Sequence, residues 1–144
     1  MKPVAVSLGQ RRAVLGALAL LLAIPPFLAR AADPRFGEII VSDEKDAGES
    51  DDSFEPDTAK IFLAAQLIDV PQGARVASSW VSVSTKVAPP NYVIDTAEIT
   101  VTGRANVANF SLSKPNTGWP VGSYRVDLTI NGRKAASTAF KVKS

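Results

Sequence analysis

Short segments in which apolar and polar residues alternate, separated by Pro, Gly and Asn, fill the sequence from residue 36 to residue 142. Within 121–130, for example, Tyr124, Val126, Leu128 and Ile130 fall on one face. A period of two is that of a β-strand with one buried face. Seven strands are predicted, at 36–41, 58–68, 75–86, 92–102, 106–113, 121–130 and 135–142. Many short strands and no helix indicate an all-β sandwich or barrel.

The last predicted hairpin contains Asn131-Gly132, a strong signal for a tight turn between two strands. A two-residue loop sets Phe140 opposite Ser123, whereas a three-residue loop sets it opposite Tyr124. Directly paired residues share a face of the sheet, so burial of the phenylalanine beside the tyrosine favours the longer loop. We predict a three-residue loop at 131–133, with its glycine in the left-handed conformation.

Residues 1–31 are predicted to be a signal peptide. Basic residues, Arg11-Arg12 among them, precede an apolar run at 13–24, and Ala29-Arg30-Ala31 supplies small residues for cleavage after Ala31. The run is shorter than the about 20 residues that a membrane-spanning helix needs. We therefore expect residues 32–144 to be a periplasmic or secreted domain with no stable membrane span, an uncleaved and tethered form being the alternative.

Two export routes fit this segment. Arg11-Arg12-Ala13-Val14-Leu15 resembles the twin-arginine export signal, whose pattern is Ser/Thr-Arg-Arg-x-Phe-Leu-Lys. The arginine pair and Leu15 match that pattern, whereas Gln10, Val14 and Gly16 differ from it. An ordinary basic segment that happens to hold two adjacent arginines is the other interpretation, and both stay open.

The sequence contains no Cys and no His, which excludes several classes of site. Without Cys the exported domain must be held by its core alone. Without His it lacks the usual general base near neutral pH and the commonest zinc ligand, and it has no Ser–His or Cys–His pair. We expect a protein that is not an enzyme and has no cofactor, with carboxylate chemistry as the remaining catalytic alternative.

Charge is distributed unevenly once the signal peptide is set aside. Four of the 16 basic residues lie in 1–31, so 12 remain against 14 acidic residues, which argues against nucleic acid as a partner. Residues 43–57 hold eight acidic residues and one lysine, whereas 58–144 hold ten basic and four acidic residues. An acidic segment therefore precedes a basic region.

The segment 43–57 is predicted to be a long, mobile, solvated loop. Crowded carboxylates can also bind Ca²⁺, which takes oxygen ligands in flexible geometry. The alternative hypothesis is therefore a Ca²⁺-responsive accessory protein that uses acidic residues of this loop: Asp43, Glu44, Asp46, Glu49, Asp51 and Asp52. The order of residues differs from that of an EF-hand, because Lys45 and Ala47 occupy two of the ligand positions.

Two aromatic positions carry a resemblance to a known fold. Trp80 in the third predicted strand, and Gly118-Trp119-Pro120-Val121-Gly122-Ser123-Tyr124-Arg125-Val126 leading into the sixth, resemble small exported bacterial immunoglobulin-like and fibronectin-type domains. The resemblance covers roughly residues 36–142 and implies a seven-stranded immunoglobulin-like β-sandwich with Trp80 in its core. It also implies a tyrosine corner, in which the Tyr124 hydroxyl bonds to upstream backbone. It transfers no activity.

The candidate binding residues are Trp119, Tyr124, Arg133 and Lys134. Trp119 lies between Gly118 and Pro120. It is either an exposed anchor for a partner or a cap on the core beside Tyr124, and we favour the cap. The basic pair Arg133-Lys134 fits a polyanion site or the protection of a sheet edge.

Together these features predict a non-enzymatic binding module of the cell envelope. The predicted partner is an envelope protein or a surface polymer, met at the Trp119 end or at an exposed edge strand. No oligomeric state follows from the sequence.

Overall fold

The structure is a computed structural model that describes residues 32–144, and residues 33–144 form one compact unit. The predicted signal peptide at 1–31 lies outside the described residues. The described chain forms eight β-strands: β1 (Arg35–Ser42), β2 (Ser53–Phe54), β3 (Lys60–Ile68), β4 (Arg75–Thr85), β5 (Tyr92–Thr100), β6 (Val107–Ser113), β7 (Gly122–Ile130) and β8 (Arg133–Val142). No helix within residues 32–144 is long and apolar enough to cross a membrane.

The strands form two sheets. The smaller sheet has three strands in the order β1-β3-β6, and the larger has five in the order β2-β8-β7-β4-β5. Neighbouring strands are antiparallel except β2 and β8, which are parallel. One core unites the inner faces of both sheets, with Ile61 and Leu63 from the smaller one and Trp80 and Val126 from the larger one. The predicted all-β class and the sandwich architecture are confirmed, and β2 is an eighth strand beside the seven predicted ones.

The alternating pattern places the core residues as predicted. Along β3, Ile61, Leu63, Ala65 and Leu67 are buried while the residues between them are more exposed. Along β7, buried and half-buried residues alternate in the same way. Because side chains of a strand point alternately to opposite faces, a period of two is enough to define the inner face of these central strands.

The acidic segment 43–57 is not one long loop, which corrects the prediction. It contains β2, whose Phe54 is only 6% exposed and packs edge-on against Phe140 with ring centroids 5.5 Å apart. The backbone N–H of Lys141 donates to the Asp52 carbonyl at 3.0 Å, and that of Lys143 donates to the Phe54 carbonyl at 2.9 Å. Burial of one aromatic ring thus fixes the second half of the segment against β8.

The β7–β8 hairpin has the predicted partners but not the predicted loop. Tyr124 pairs with Phe140 as expected, yet Ile130 pairs with Arg133, so the loop has two residues. Both loop residues, Asn131-Gly132, have positive φ (51° and 83°), as a type I′ turn requires. A β-bulge opposite Leu128 and Thr129, rather than a third loop residue, supplies the one-residue shift in register.

Candidate functional site

Aromatic rings close one end of the sandwich. The Tyr124 hydroxyl donates a hydrogen bond to the Pro120 carbonyl, which is the expected tyrosine corner. The Tyr124 ring stacks on Phe140 at 5.1 Å and meets Trp119 edge-on at 6.0 Å. The Trp119 indole N–H in turn donates to the Thr58 carbonyl at 2.8 Å. Burial raises the pKa of Tyr124 to about 12, so its hydroxyl stays protonated as a donor into alkaline solution.

These contacts decide between the two interpretations of Trp119. Trp119 and Tyr124 are each only 2% exposed, so the interpretation of Trp119 as a cap on the core is confirmed and that of an exposed anchor is wrong. Trp80 is also buried, as the resemblance implied, and it lies edge-on to Phe140 at 6.3 Å. Any ligand at this end therefore meets these rings only at the bottom of a depression.

Such a depression is present beside the two rings. A pocket of about 380 Å³ opens at this end of the sandwich, and Trp119 and Tyr124 form part of its lining. Its rim carries large apolar side chains in contact with solvent, since Val87 is 72% exposed and Tyr92 is 53% exposed. The lining includes three prolines, Pro89, Pro115 and Pro120. A concave apolar surface with an exposed aromatic rim is typical of a binding site.

The pocket is open because the two sheets have unequal numbers of strands. Tyr92 pairs with buried Ser82, so it belongs to the inner face of the larger sheet although it is exposed. Of the nine residues of β5, only Ile94 and Ile99 are partly buried. The three strands of the smaller sheet do not cover all five of the larger one, and the inner face of the edge strand β5 is covered only in part, at Ile94 and Ile99.

The predicted basic residues lie elsewhere. Arg133 and Lys134 follow the turn after β7, whereas Tyr124 lies near the start of that strand, about 20 Å away along an extended chain. Lys134 forms an ion pair of 3.3 Å with Asp127 on the larger sheet. The four predicted binding residues therefore do not form one site.

Asp127 is the centre of a polar network on the outer face of the larger sheet. Ser137 donates to its carboxylate at 2.8 Å, and Arg125 donates to both of its oxygens at 3.1 Å. Partial burial tends to raise the pKa of Asp127, but the hydrogen bonds from Ser137, Arg125 and Lys134, together with the charge of Arg125, outweigh it and lower the pKa. A carboxylate held ionised by three donors is suited to fixing side chains rather than to accepting a proton.

The acidic residues of 43–52 do not form a metal-binding group, although Asp43 and Asp51 line one polar depression with Glu55 and Asp57. Asp51 is anchored, since its N–H donates to the Val41 carbonyl at 2.7 Å and its carboxylate accepts from the Ser42 hydroxyl at 3.2 Å. Residues 32–144 contain no group of three or more acidic side chains placed to hold a metal ion. The arrangement of Asp43, Glu44, Asp46 and their neighbours therefore gives no support to the hypothesis of a calcium site.

Sequence reasoning missed the rim residues of the pocket. The sequence pattern places Tyr92 at the start of a predicted strand and Val87 in the break before it. The available signal was a pair of large apolar residues, Val87 and Tyr92, on either side of Pro89-Pro90. That signal alone does not distinguish an exposed rim from a core strand.

Solved structures provide the comparison that decides the fold. An immunoglobulin-like protein from Pseudomonas aeruginosa superimposes with a TM-score of 0.53 at 16% sequence identity, over 78% of this chain and 98% of that one. The fold is immunoglobulin-like. The short parallel pairing of β2 with β8 and the tyrosine corner belong to this immunoglobulin-like sandwich.

Two further solved structures have lower TM-scores. A Pseudomonas fluorescens alkylpurine DNA glycosylase, in a complex with DNA, gives a TM-score of 0.49 at 14% identity, over 79% of this chain and 31% of that one. A β-glucosidase from Kluyveromyces marxianus gives 0.46 at 15% identity, over 78% of this chain and 14% of that one. No protein-family model and no curated protein matches the sequence. These likenesses concern the fold alone.

Proposed function

We propose that this protein is an exported, non-enzymatic binding module of the cell envelope that holds its partner at the open apolar pocket beside Trp119. One observation carries the proposal: Val87 and Tyr92 expose large apolar side chains on the rim of a concave, mostly apolar surface. Exposing such a surface to water is unfavourable, so a contiguous exposed apolar patch marks a site that is covered by a partner. An envelope protein or a surface polymer with apolar groups fits this surface.

The chemistry of the described residues supports binding rather than catalysis. The sequence has no His and no Cys. Within residues 32–144, shifted pKa values are found for Tyr124 and Asp127, and both groups are held in structural hydrogen bonds. A catalytic acid or base needs a pKa tuned toward the working pH. Neither group meets that requirement, because the pKa of Tyr124 is raised and that of Asp127 is lowered.

Export is part of the proposal and rests on the pattern of residues 1–31. The test is the N-terminal sequence of the protein recovered from the periplasm or medium of its host. We expect it to begin at Ala32, after cleavage that follows Ala31. Recovery of the full chain from the cytoplasm alone would argue against export.

The binding site is tested with a photo-crosslinking residue placed at position 92 or, as a matched control, at position 93. Tyr92 and Val93 are adjacent and similarly exposed (53% and 52%), but they lie on opposite faces of β5. In intact cells we expect a discrete adduct from position 92 and none from position 93. Equal adducts from both positions, or none from either, would contradict a partner at the pocket.

A further inference from the structure

The four outer edges of the two sheets are not protected equally. A sheet edge exposes unpaired backbone groups, and proteins block such edges with bulges, charges or covering segments. The β1 edge has an irregular register around Glu38. The β5 edge has a bulge and carries Asp95, and the β8 edge has a bulge, the pair Arg133-Lys134 and the short cover of β2.

The β6 edge has none of these protections within residues 32–144. Its seven residues, Val-Ala-Asn-Phe-Ser-Leu-Ser, include no charge, no Pro and no Gly. Its register with β3 runs without a shift from Gln66–Val107 to Lys60–Ser113. Among the described strands, β6 pairs with β3 alone. An edge of this regularity is a ready template for one more strand.

The hydrogen-bond ladder shows which groups are free for such a strand. The N–H of Leu67 donates to the Asn106 carbonyl at 2.8 Å, and the N–H of Lys114 donates to the Ala59 carbonyl at 2.9 Å. Antiparallel ladders alternate between bonded and non-bonded pairs, so the even-numbered residues of β6 bond to β3. The N–H and C=O groups of Val107, Asn109, Ser111 and Ser113 therefore point to the open edge.

The open edge lies beside the partly covered inner face of β5. The two strands approach each other across the sandwich, and Pro115, just after β6, lines the same pocket as Tyr92 and Ile94. Asp95 pairs with buried Trp80, so it shares the inner face, yet it is exposed and forms no ion pair among the described residues. A strand added to β6 would pass over these three residues of β5.

We propose that the β6 edge takes up a single extended polypeptide segment as a fourth strand of the smaller sheet, with its inward side chains covering the pocket. This inference rests on the proposed binding function and specifies the class of its partner. The inward positions of the segment are apolar where they meet Tyr92 and Ile94, and basic where they meet Asp95. Main-chain hydrogen bonds hold the segment, and the pocket selects its side chains.

The unequal sheets favour a single strand over a second copy of this chain. The larger sheet has two more strands than the smaller one, and its edge strand β5 approaches the edge strand β6 of the smaller sheet. If two copies paired through β6, the β5 strands of their larger sheets would clash behind the joined edges. A lone strand has no second sheet behind it, so it can pair with β6 without this clash.

The probe is a fluorescent seven-residue peptide, Thr-Leu-Thr-Lys-Thr-Leu-Thr with blocked ends, whose sequence reads the same in both directions. We expect it to bind the purified protein and to slow amide exchange at Asn109 and Ser111. Asn109→Pro removes an outward N–H without removing a bond to β3 and should weaken binding about tenfold, whereas Asn109→Thr should not. Thermal unfolding of both variants shows whether the fold is kept.

Charge selection is measured with the same peptide carrying Glu in place of its Lys. We expect the Lys probe to bind at least about twofold more tightly at low salt, and Asp95→Asn to abolish that difference. If Asn109→Pro does not fold, amide exchange in the unaltered protein still decides the question.

Two results would overturn the inference. One is unchanged exchange at Asn109 and Ser111 in the presence of saturating peptide; the other is slowed exchange that appears on raising the protein concentration alone, which indicates a second copy. Crosslinking from position 92 is independent of both results. An adduct there without any effect at β6 would leave the binding module in place and remove only the strand-addition site.

Discussion

Tyr124 donates its hydroxyl hydrogen bond to the carbonyl of Pro120, four residues upstream, and so joins the start of β7 to the segment that leads into it. The same segment carries Trp119, whose backbone N–H donates to the Pro56 carbonyl at 2.8 Å. The floor of the pocket is therefore fixed by hydrogen bonds from two directions. A rigid floor beneath an exposed rim lets a partner bind without first ordering the site.

Loss of this hydroxyl should destabilise the fold. Tyr124→Phe leaves the partly buried Pro120 carbonyl without its donor, and we expect the free energy of unfolding to fall by about 1–3 kcal/mol. Tyr92→Phe is the matched control, because its hydroxyl is on an exposed ring and should matter by less than about 0.5 kcal/mol. Urea unfolding of both variants measures the difference, and equal stabilities would contradict a structural role for the bond.

The raised pKa of Tyr124 predicts a loss of stability in alkaline solution. Burial raises this pKa from 10.0 to about 12, so above pH 10 the unfolded state loses its proton first. The unfolded state is then favoured, and stability should fall as the pH rises from about 10 to about 12. Lysines titrate in the same range, so the measurement is the difference between the unaltered protein and Tyr124→Phe. A difference that does not change with pH over this range would contradict the assignment.

The local sequence pattern was sufficient to predict those features that depend on a single strand or segment. The alternation in β3 and β7 predicted their inner faces, and the Tyr124 corner followed from residues within one segment. The pattern did not predict features that depend on contacts between distant segments or on a bulge in the partner strand. Asn131-Gly132 predicted a turn, but the bulge near Ala135 that fixes the register has no sequence signal of its own.

The same limit applies to the candidate site. Phe54 is one apolar residue within a run of carboxylates, so composition pointed to a solvated loop although the ring is part of the core. The exposure of Tyr92 depends on one sheet having three strands and the other five, a property of the whole topology. Neither fact follows from a window of adjacent residues.

The burial of Phe54 predicts that the acidic segment contributes to stability. We expect Phe54→Ala to lower the free energy of unfolding by about 3–5 kcal/mol, because it leaves a cavity against Phe140. Phe62→Ala is the control, since Phe62 is half-buried on the opposite face of β3 from the core, with the Lys60 ammonium 5.9 Å from its ring. Denaturant unfolding should give a clearly smaller loss for Phe62→Ala, and a Phe54→Ala loss below about 1 kcal/mol would contradict the burial.

Gly122 begins β7 at a place where no side chain fits. Its φ is +152°, and a Cβ there would overlap the Ser84 carbonyl oxygen of β4. We expect Gly122→Ala to lower stability by about 1–3 kcal/mol, because backbone must move to admit the methyl group. Gly48→Ala is the control, since a Cβ at that position meets nothing within 4 Å and the change should stay within about 0.5 kcal/mol. Thermal unfolding compares the two variants. Equal melting temperatures would show that the β4 backbone shifts at little energetic cost and would contradict the prediction.

The arrangement of the carboxylates of 43–52 predicts that calcium does not stabilise the protein. An ion that binds the folded state raises the melting temperature by mass action, and tight binding needs several oxygen ligands around one point. The described residues contain no such group of three or more acidic side chains, so we expect no shift of the melting temperature in millimolar Ca²⁺.

The control variant converts the acidic residues of the segment to amides: Asp43, Glu44, Asp46, Glu49, Asp51 and Asp52. It keeps Phe54 and therefore tests the carboxylates without removing a core residue. A rise with Ca²⁺ in the unaltered protein that disappears in this variant would establish a metal site and restore the calcium hypothesis.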